Sequence, residues 1–298
     1  MEIGGRYTLY GDLARRDAAG LAAILVAKRV PIELVEESPS LALALAARAG
    51  RETGPYQRTP EGFVLADGFA IREWLERVHP APALLPATPV RRTCARLLED
   101  WIELWLPHWP RRSWATLERL GAHVEAAGFL LGRAPTRPDR LLAAWLETEV
   151  LVHPHARDHL AKHAPRLVRF GEDLLARSET DGAGDAAHDV GDVIPISLLG
   201  VLEEIAADYH AYLALNHRAL KDREDEVRLD LGLGREALPV QAECEARRLV
   251  IGRELAALDR PLRRHLAGTL EPLGAWHVLT LPPVLEAHDP RDPRSLDG

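Results

Sequence analysis

Cysteine is nearly absent: the 298 residues hold only Cys94 and Cys244. Two such distant thiols make neither a disulfide framework nor a zinc spacing. Both fall in helical patterns, where free cysteine is usually buried and inert. No stretch approaches the run of about 20 apolar residues that crosses a bilayer. The opening MEIGGRYTLYGD lacks a basic segment followed by an apolar one, so no signal peptide is expected. Basic charge is also short, with 37 Lys+Arg against 45 Asp+Glu and a formal charge of −8. The lack of a basic block argues against a nucleic-acid binder, which works by neutralising phosphates. A phosphate loop is missing too, since Leu231-Gly232-Leu233-Gly234 is not followed by Lys-Ser/Thr. The remaining expectation is a soluble, cytoplasmic, helix-rich chain long enough for two domains, with no nucleic-acid or membrane partner.

What is present centres on Gly54 to Val78. Tyr56–Thr59 and Phe63–Ala66 read as short strands. Thr59-Pro60-Glu61-Gly62 between them has turn chemistry, with proline presetting φ and glycine closing the turn. Asp67 stands at an N-cap position. Ile71, Trp74, Leu75 and Val78 follow at the i, i+3, i+4, i+7 spacing of a helix with one buried face. Upstream, Arg6–Tyr10 reads as a strand, Leu13–Arg29 as a helix and Val30–Glu36 as a half-buried strand. Ser38-Pro39 opens a helix that Gly50 ends. The order β-α-β-α-β-β-α implies a mixed sheet with helices on its faces.

His79 to Pro89 is a proline-rich linker, after which the pattern is wholly helical. Helices are expected over 90–107, 111–127, 155–163 and 165–177. Another begins near Thr136, where Thr136 and Asp139 form a capping box. Residues 178–192 read as a flexible connector. Further helices are expected over 195–220, 241–258 and 261–270, and a disordered tail from about residue 287.

The Gly54–Val78 stretch resembles the second half of the thioredoxin-like domain of the glutathione S-transferase superfamily. Pro55 falls at that family's cis-proline, Asp67 at its acidic position, and Trp74-Leu75-Glu76 at its "YLE". Val30-Pro31-Ile32-Glu33 is similar to the family's "GIPYE". The linker resembles the bacterial connector "P-x-x-LLP-x-x-P", and Phe129 to Asp139 resembles "FLxG…S/T-x-x-D". The chain is identified as a divergent bacterial-type member with a C-terminal helical extension. The resemblance covers about residues 6–178. It implies an α/β plus all-α fold: a thioredoxin-like domain over 1–80, a linker over 81–89 and an all-helical domain over 90–178. A helical extension over 193–280 and a tail over 281–298 would follow. The extension either completes the second domain or packs on it as an appendage.

The resemblance also implies a chemistry. Glutathione would be the co-substrate, held by the backbone of Gly54, Pro55 and Tyr56 and by the helix start at Asp67 and Gly68. A helix N-terminus suits a carboxylate. Gly68 departs from the family's serine and removes one hydroxyl. The family's catalytic Ser or Cys would align with Arg15, and no Ser, Thr or Cys occurs between Tyr10 and Ser38. Two substitutes are open. Tyr10 could donate from the end of the first strand, or Arg15 (or Arg16) could stabilise the thiolate by charge. Trp101 and Trp105 fall near the family's hydrophobic co-substrate site, and Trp109 and Trp114 lie close by. The histidines His155, His159 and His163 have spacing that can hold a metal, but no third ligand type accompanies them, so no metal is expected. The expected function is glutathione transfer to, or reduction of, a hydrophobic electrophile, in a homodimer. The alternative is a non-catalytic binding or scaffold protein of the same fold.

Overall fold

The computed structural model describes residues 6–108, 113–176, 191–231 and 234–284. A four-stranded sheet lies at its N-terminal end in the order β2-β1-β3-β4. Strand β1 (Tyr7–Tyr10) runs parallel to β2 (Ile32–Val35) and antiparallel to β3 (Tyr56–Arg58), which pairs antiparallel with β4 (Val64–Leu65). Helix α1 (Arg16–Ala27) follows β1, α2 (Pro39–Ala49) follows β2 and α3 (Gly68–Val78) follows β4. This is the thioredoxin-like order, and the Gly54–Pro55 bond is cis, as is Ala81–Pro82.

Local chemistry sets these elements. The Ser38 hydroxyl caps α2, Pro39 occupies its first turn, and Gly50 ends it at φ 67°. Asp67 caps α3 by accepting from the Phe69 and Ala70 N–H groups at 2.9 and 3.3 Å. Such a cap contributes about 1 kcal/mol.

The second part is helical. Helix α4 (Pro89–Asp100) runs on as a wide π-turn over Trp101–Trp105 and a 3-10 turn over Leu106–His108. Then come α5 (Ser113–Ala127), α6 (Arg137–Trp145, extended by a π-turn to Val150), α7 (Pro154–His163) and α8 (Pro165–Ala176). Asp139 is the hub of the expected capping box. It accepts from the Thr136 N–H and hydroxyl at 2.7 and 2.6 Å, and from the Leu130 N–H at 2.7 Å. Most of the expected flexible connector, 177–190, lies outside the described residues, as does the tail from 285. Asp192 does not dangle: its carboxylate accepts from the Val90 and Arg91 N–H groups and so caps α4.

The C-terminal part runs through α9 (Leu199–Ile205), a π-turn over Ala206–His210 and α10 (Ala211–Asp222), as the expected long helix. A hairpin of β5 (Glu226–Asp230) and β6 (Arg235–Pro239) follows, between two expected helices where no strand is expected. Its alternation, with Val227 and Leu229 buried between exposed neighbours, is the period-2 signal that identifies it. Helices α11 (Ala242–Ala257), α12 (Arg260–Leu270) and the short α13 (Ala275–Leu279) complete the chain. One hydrophobic cluster runs from Tyr7 to Leu279 without a break. The C-terminal part therefore completes the core of the helical region.

Two contacts fix the sheet domain on the helices. Helix α1 packs on α6 through Gly20, where a Cβ would lie 2.9 Å from Leu141 Cδ2 and 3.6 Å from Ala144 Cβ. Second, a buried ion network crosses the boundary. Glu73 of α3 accepts from Arg96 of α4 at 2.8 and 2.9 Å and from Arg137 of α6 at 2.7 Å. Arg137, fully buried, also grips Glu99 of α4 through two bonds of 2.6 Å, while Arg96 reaches Glu254 of α11 at 2.8 Å. Burial alone would raise the Glu73 carboxyl, but Arg137 and Arg96 overcome it and hold it well below the usual carboxylate range. Removing one member of such a set strands a buried charge. Arg137→Met is therefore expected to destabilise the protein by about 3–5 kcal/mol in denaturant unfolding, whereas exposed Arg218→Met should change it by less than about 0.5 kcal/mol.

Candidate functional site

A cleft of about 240 Å³ opens where the sheet domain meets the helices. On one side stand Gly54, Pro55, Asp67 and Gly68, the segment before β3 and the start of α3. The opposite wall is Ile102 and Leu104 after α4, Leu141 and Trp145 of α6, and Glu243 and Arg247 of α11. An adjoining recess of about 320 Å³ shares Gly54, Pro55 and Asp17 with it and adds Gly11, Arg15 and Glu37.

The cleft thus brings together Gly54, Pro55, Asp67 and Gly68, with Arg15 in the adjoining recess. Tyr56 is turned away. Its ring is buried against Tyr10, Leu45 and Ala66, and its hydroxyl donates to the Arg51 carbonyl at 3.0 Å. Tyr10 belongs to the same cluster and to neither cavity lining. The reason is strand alternation: Tyr7 and Leu9 join the main core on one face of β1, and Tyr10 falls on the other, under α2. Arg15 has the exposure a thiolate partner needs, but its guanidinium donates to Asp17 at 3.1 Å.

Trp101 and Trp105 also lie off the cleft wall. Both are in the core, where Trp105 packs on Tyr209 and Tyr212 with ring centroids 5.7 and 5.1 Å away. The apolar side of the cleft is instead built from Ile102, Leu104, Leu141 and Trp145. Trp109 lies outside the described residues. The three histidines of α7 are engaged in an aromatic stack. His159 lies on Trp114 and His163 with centroids 4.2 and 4.5 Å apart, and its Nε2 meets Glu118 at 2.9 Å.

The charged lining is dense. Asp67 takes Arg51 at 3.2 Å in addition to its two capping bonds, at a φ of 71° rarely adopted outside glycine. Arg72, one helical turn into α3, donates to Glu103, which also accepts from Arg247 of α11. Arg247 reaches Asp100 at 3.4 Å and Glu243 at 2.9 Å, and lies 4.8 Å over the Phe69 ring. None of Arg72, Glu103 and Arg247 was singled out in the sequence. Glu103 and Arg72 sit on faces that read as solvated, and only the later helix α11 buries them. Desolvation raises the Asp100 carboxyl to about 7 despite Arg247. It would raise Glu103 as well, but Arg72 and Arg247 prevail and hold that group down to about 2.

No protein-family model matches the chain. Over 151 residues it is 31% identical to the probable maleylacetoacetate isomerase 1 of Drosophila melanogaster, covering 42% of this chain and 58% of that protein. The match spans a little over half the length of that relative. Among solved structures, a glutathione S-transferase from Methylobacterium radiotolerans, crystallised with glutathione sulfonate, shows 25% identity and a TM-score of 0.48. It covers 63% of this chain and 100% of its own. A maleylacetoacetate isomerase from Anaeromyxobacter dehalogenans, with bound dicarboxyethyl glutathione, shows 24% identity over 61% of this chain and 97% of its own, at a TM-score of 0.39. The fold assignment rests on strand order and element sequence. A thioredoxin-like domain is followed by a helical domain. No described helix is long and apolar enough to cross a membrane.

The depressed Glu103 carboxyl carries a pH signature. A group whose folded pKa lies below its unfolded value adds stability that is present above the unfolded value, near 4.5, and lost as pH falls toward 2. Acid titration followed by tryptophan fluorescence should show stability declining across that window. Glu103→Gln should flatten this part of the decline while lowering stability at pH 7.

Proposed function

We propose that the chain binds glutathione along the Gly54–Pro55 segment and the start of α3, and uses its thiol on a small hydrophobic electrophile, by conjugation or reduction. One observation carries this reading. Gly54, Pro55, Asp67 and Gly68, drawn from two separate loops, line a single cleft faced by Ile102, Leu104, Leu141 and Trp145. Backbone groups at Gly54–Pro55 suit an extended peptide. The N-terminus of α3 suits its carboxylate, and the apolar wall suits a second substrate. The isomerases among its relatives add an unsaturated carboxylic acid to the compounds worth screening.

A second reading, binding without catalysis, is favoured by the recess at Pro55. Asp12, Asp17, Glu36 and Glu37 line it with Arg15 as their one basic companion there. Burial raises the Glu37 carboxyl, opposed by Arg15. Such surroundings disfavour an added thiolate unless Arg15 leaves Asp17 for it. A homodimer belongs to the same proposal, and light scattering would test it.

Calorimetry with glutathione is the first test. Millimolar or tighter binding in the wild type that Asp67→Ala loses supports the site, and no binding at several millimolar overturns it. Turnover of an aromatic halide then separates the two readings. For the enzyme, Arg15→Ala should lower kcat roughly tenfold, the worth of one charge-assisted contact. Tyr10→Phe should leave it near the wild-type rate. No turnover in a glutathione-binding wild type would establish the non-catalytic form.

A further inference from the structure

The start of α3 differs from a plain helix N-terminus in having a buried cation built against it. Gly68 carries no side chain, and the space it leaves is bounded by Arg72. A Cβ at residue 68 would lie 3.2 Å from Arg72 Nη1. The Arg72 side chain is 1% exposed, yet it lines the cleft beside Gly54, Pro55 and Gly68. Its Nη2 is committed to Glu103, while its Nε is buried without a hydrogen-bond partner. A buried donor left unpaired is costly, so a guanidinium held this way, at the edge of a cleft, is suited to an incoming acceptor.

The charge around it points the same way. Glu103 is shared between Arg72 and Arg247, so it does not neutralise both. Arg247 has further carboxylates in Asp100 and Glu243, whereas among the described residues Arg72 pairs with Glu103 alone. On the other side Asp67 is occupied by Arg51 and by its capping bonds. Arg72 and Arg247 each keep a buried Nε without a partner, but Arg72 is the one whose guanidinium borders the space at Gly68, at the first residue of α3.

Resting on the glutathione reading above, we propose that Arg72 seats the α-carboxylate of the γ-glutamyl end. It would replace the side-chain hydroxyl that Gly68 lacks and work together with the α3 N-terminus. Gly68 and Arg72 are then two halves of one device: the missing side chain lets the guanidinium reach the carboxylate. Arg247 and Glu103 act as positioning residues that hold Arg72 from the far side of the cleft.

The test is calorimetry with two probes: glutathione, and its 4-aminobutyryl-cysteinyl-glycine analogue, which keeps the amine and lacks that carboxylate. Wild type should prefer glutathione by about tenfold or more, the worth of one charge-assisted hydrogen bond. Arg72→Met should lose that preference, binding glutathione as weakly as the analogue. The double variant Gly68→Ser/Arg72→Leu, which restores a hydroxyl, should regain part of it. A merely structural Arg72 would weaken both probes by the same factor and leave the preference intact, and that result overturns the proposal. Should Arg72→Met not fold, Gly68→Ala decides. It keeps the arginine and crowds Nη1, and an unchanged preference in it likewise overturns the proposal. Wild type binding neither probe would defeat the glutathione reading itself. Wild type binding with a preference insensitive to residues 68 and 72 defeats this inference alone.

Discussion

The fully buried guanidinium of Arg137 is the constraint on which the rest of the molecule depends. Its two carboxylate partners come from different parts of the chain, Glu73 from the sheet domain and Glu99 from α4. Charges this deep are tolerable only when paired in good geometry; Arg137 meets its carboxylates through Nε and Nη2 while Nη1 has no partner, so the relative placement of α3, α4 and α6 is narrowly defined. Arg96 repeats the arrangement toward Glu73 and Glu254, which brings α11 into register. The cleft is the space left between elements whose positions these ion pairs fix. Its second charged tier, Arg72–Glu103–Arg247, lies one turn further along the same face of the α4 run.

That face explains what could and could not be read from the sequence. Residues 96, 99, 100 and 103 recur at helical spacing and are charged, which alone describes a solvated stripe. Glu99, Asp100 and Glu103 are covered here because Arg137 and Arg247, remote in sequence, arrive to pair with them, and Arg96 because Glu73 and Glu254 do. By contrast, the turn at Thr59–Gly62, the Asp67 cap, the Ser38-Pro39 start and the Thr136/Asp139 box were all legible. Each is a contact between residues at most a few positions apart, so its chemistry is written locally. The order of the elements followed from those pieces together with the resemblance they carry.

The site divided along the same line. Positions belonging to backbone segments, Gly54, Pro55, Asp67 and Gly68, do come together on the cleft. Positions chosen for their side chains did not fare alike. Tyr10 was nominated as the last residue of a strand, but alternation from Tyr7 and Leu9 sends it to the α2 face. Trp101 and Trp105, expected near the co-substrate site, are in the core instead, and Tyr209 and Tyr212, about a hundred residues later, cover Trp105. The hairpin at 226–239 is not legible in the sequence because each strand is only five residues long, and so short an alternating run carries little signal.

The proline-rich linker has a consequence for how this molecule comes apart. It marks a boundary in sequence, and a cut there would look natural to anyone designing a truncation. Yet Lys28 of the sheet domain grips the carbonyls of His79 and Pro82 within it, and Glu73 just upstream is neutralised from beyond it. Gly20, for its part, leaves a groove that Leu141 and Ala144 fill. The two halves are therefore covalently divisible but energetically joined. They constitute one cooperative unit, in which neither half is a free-standing module.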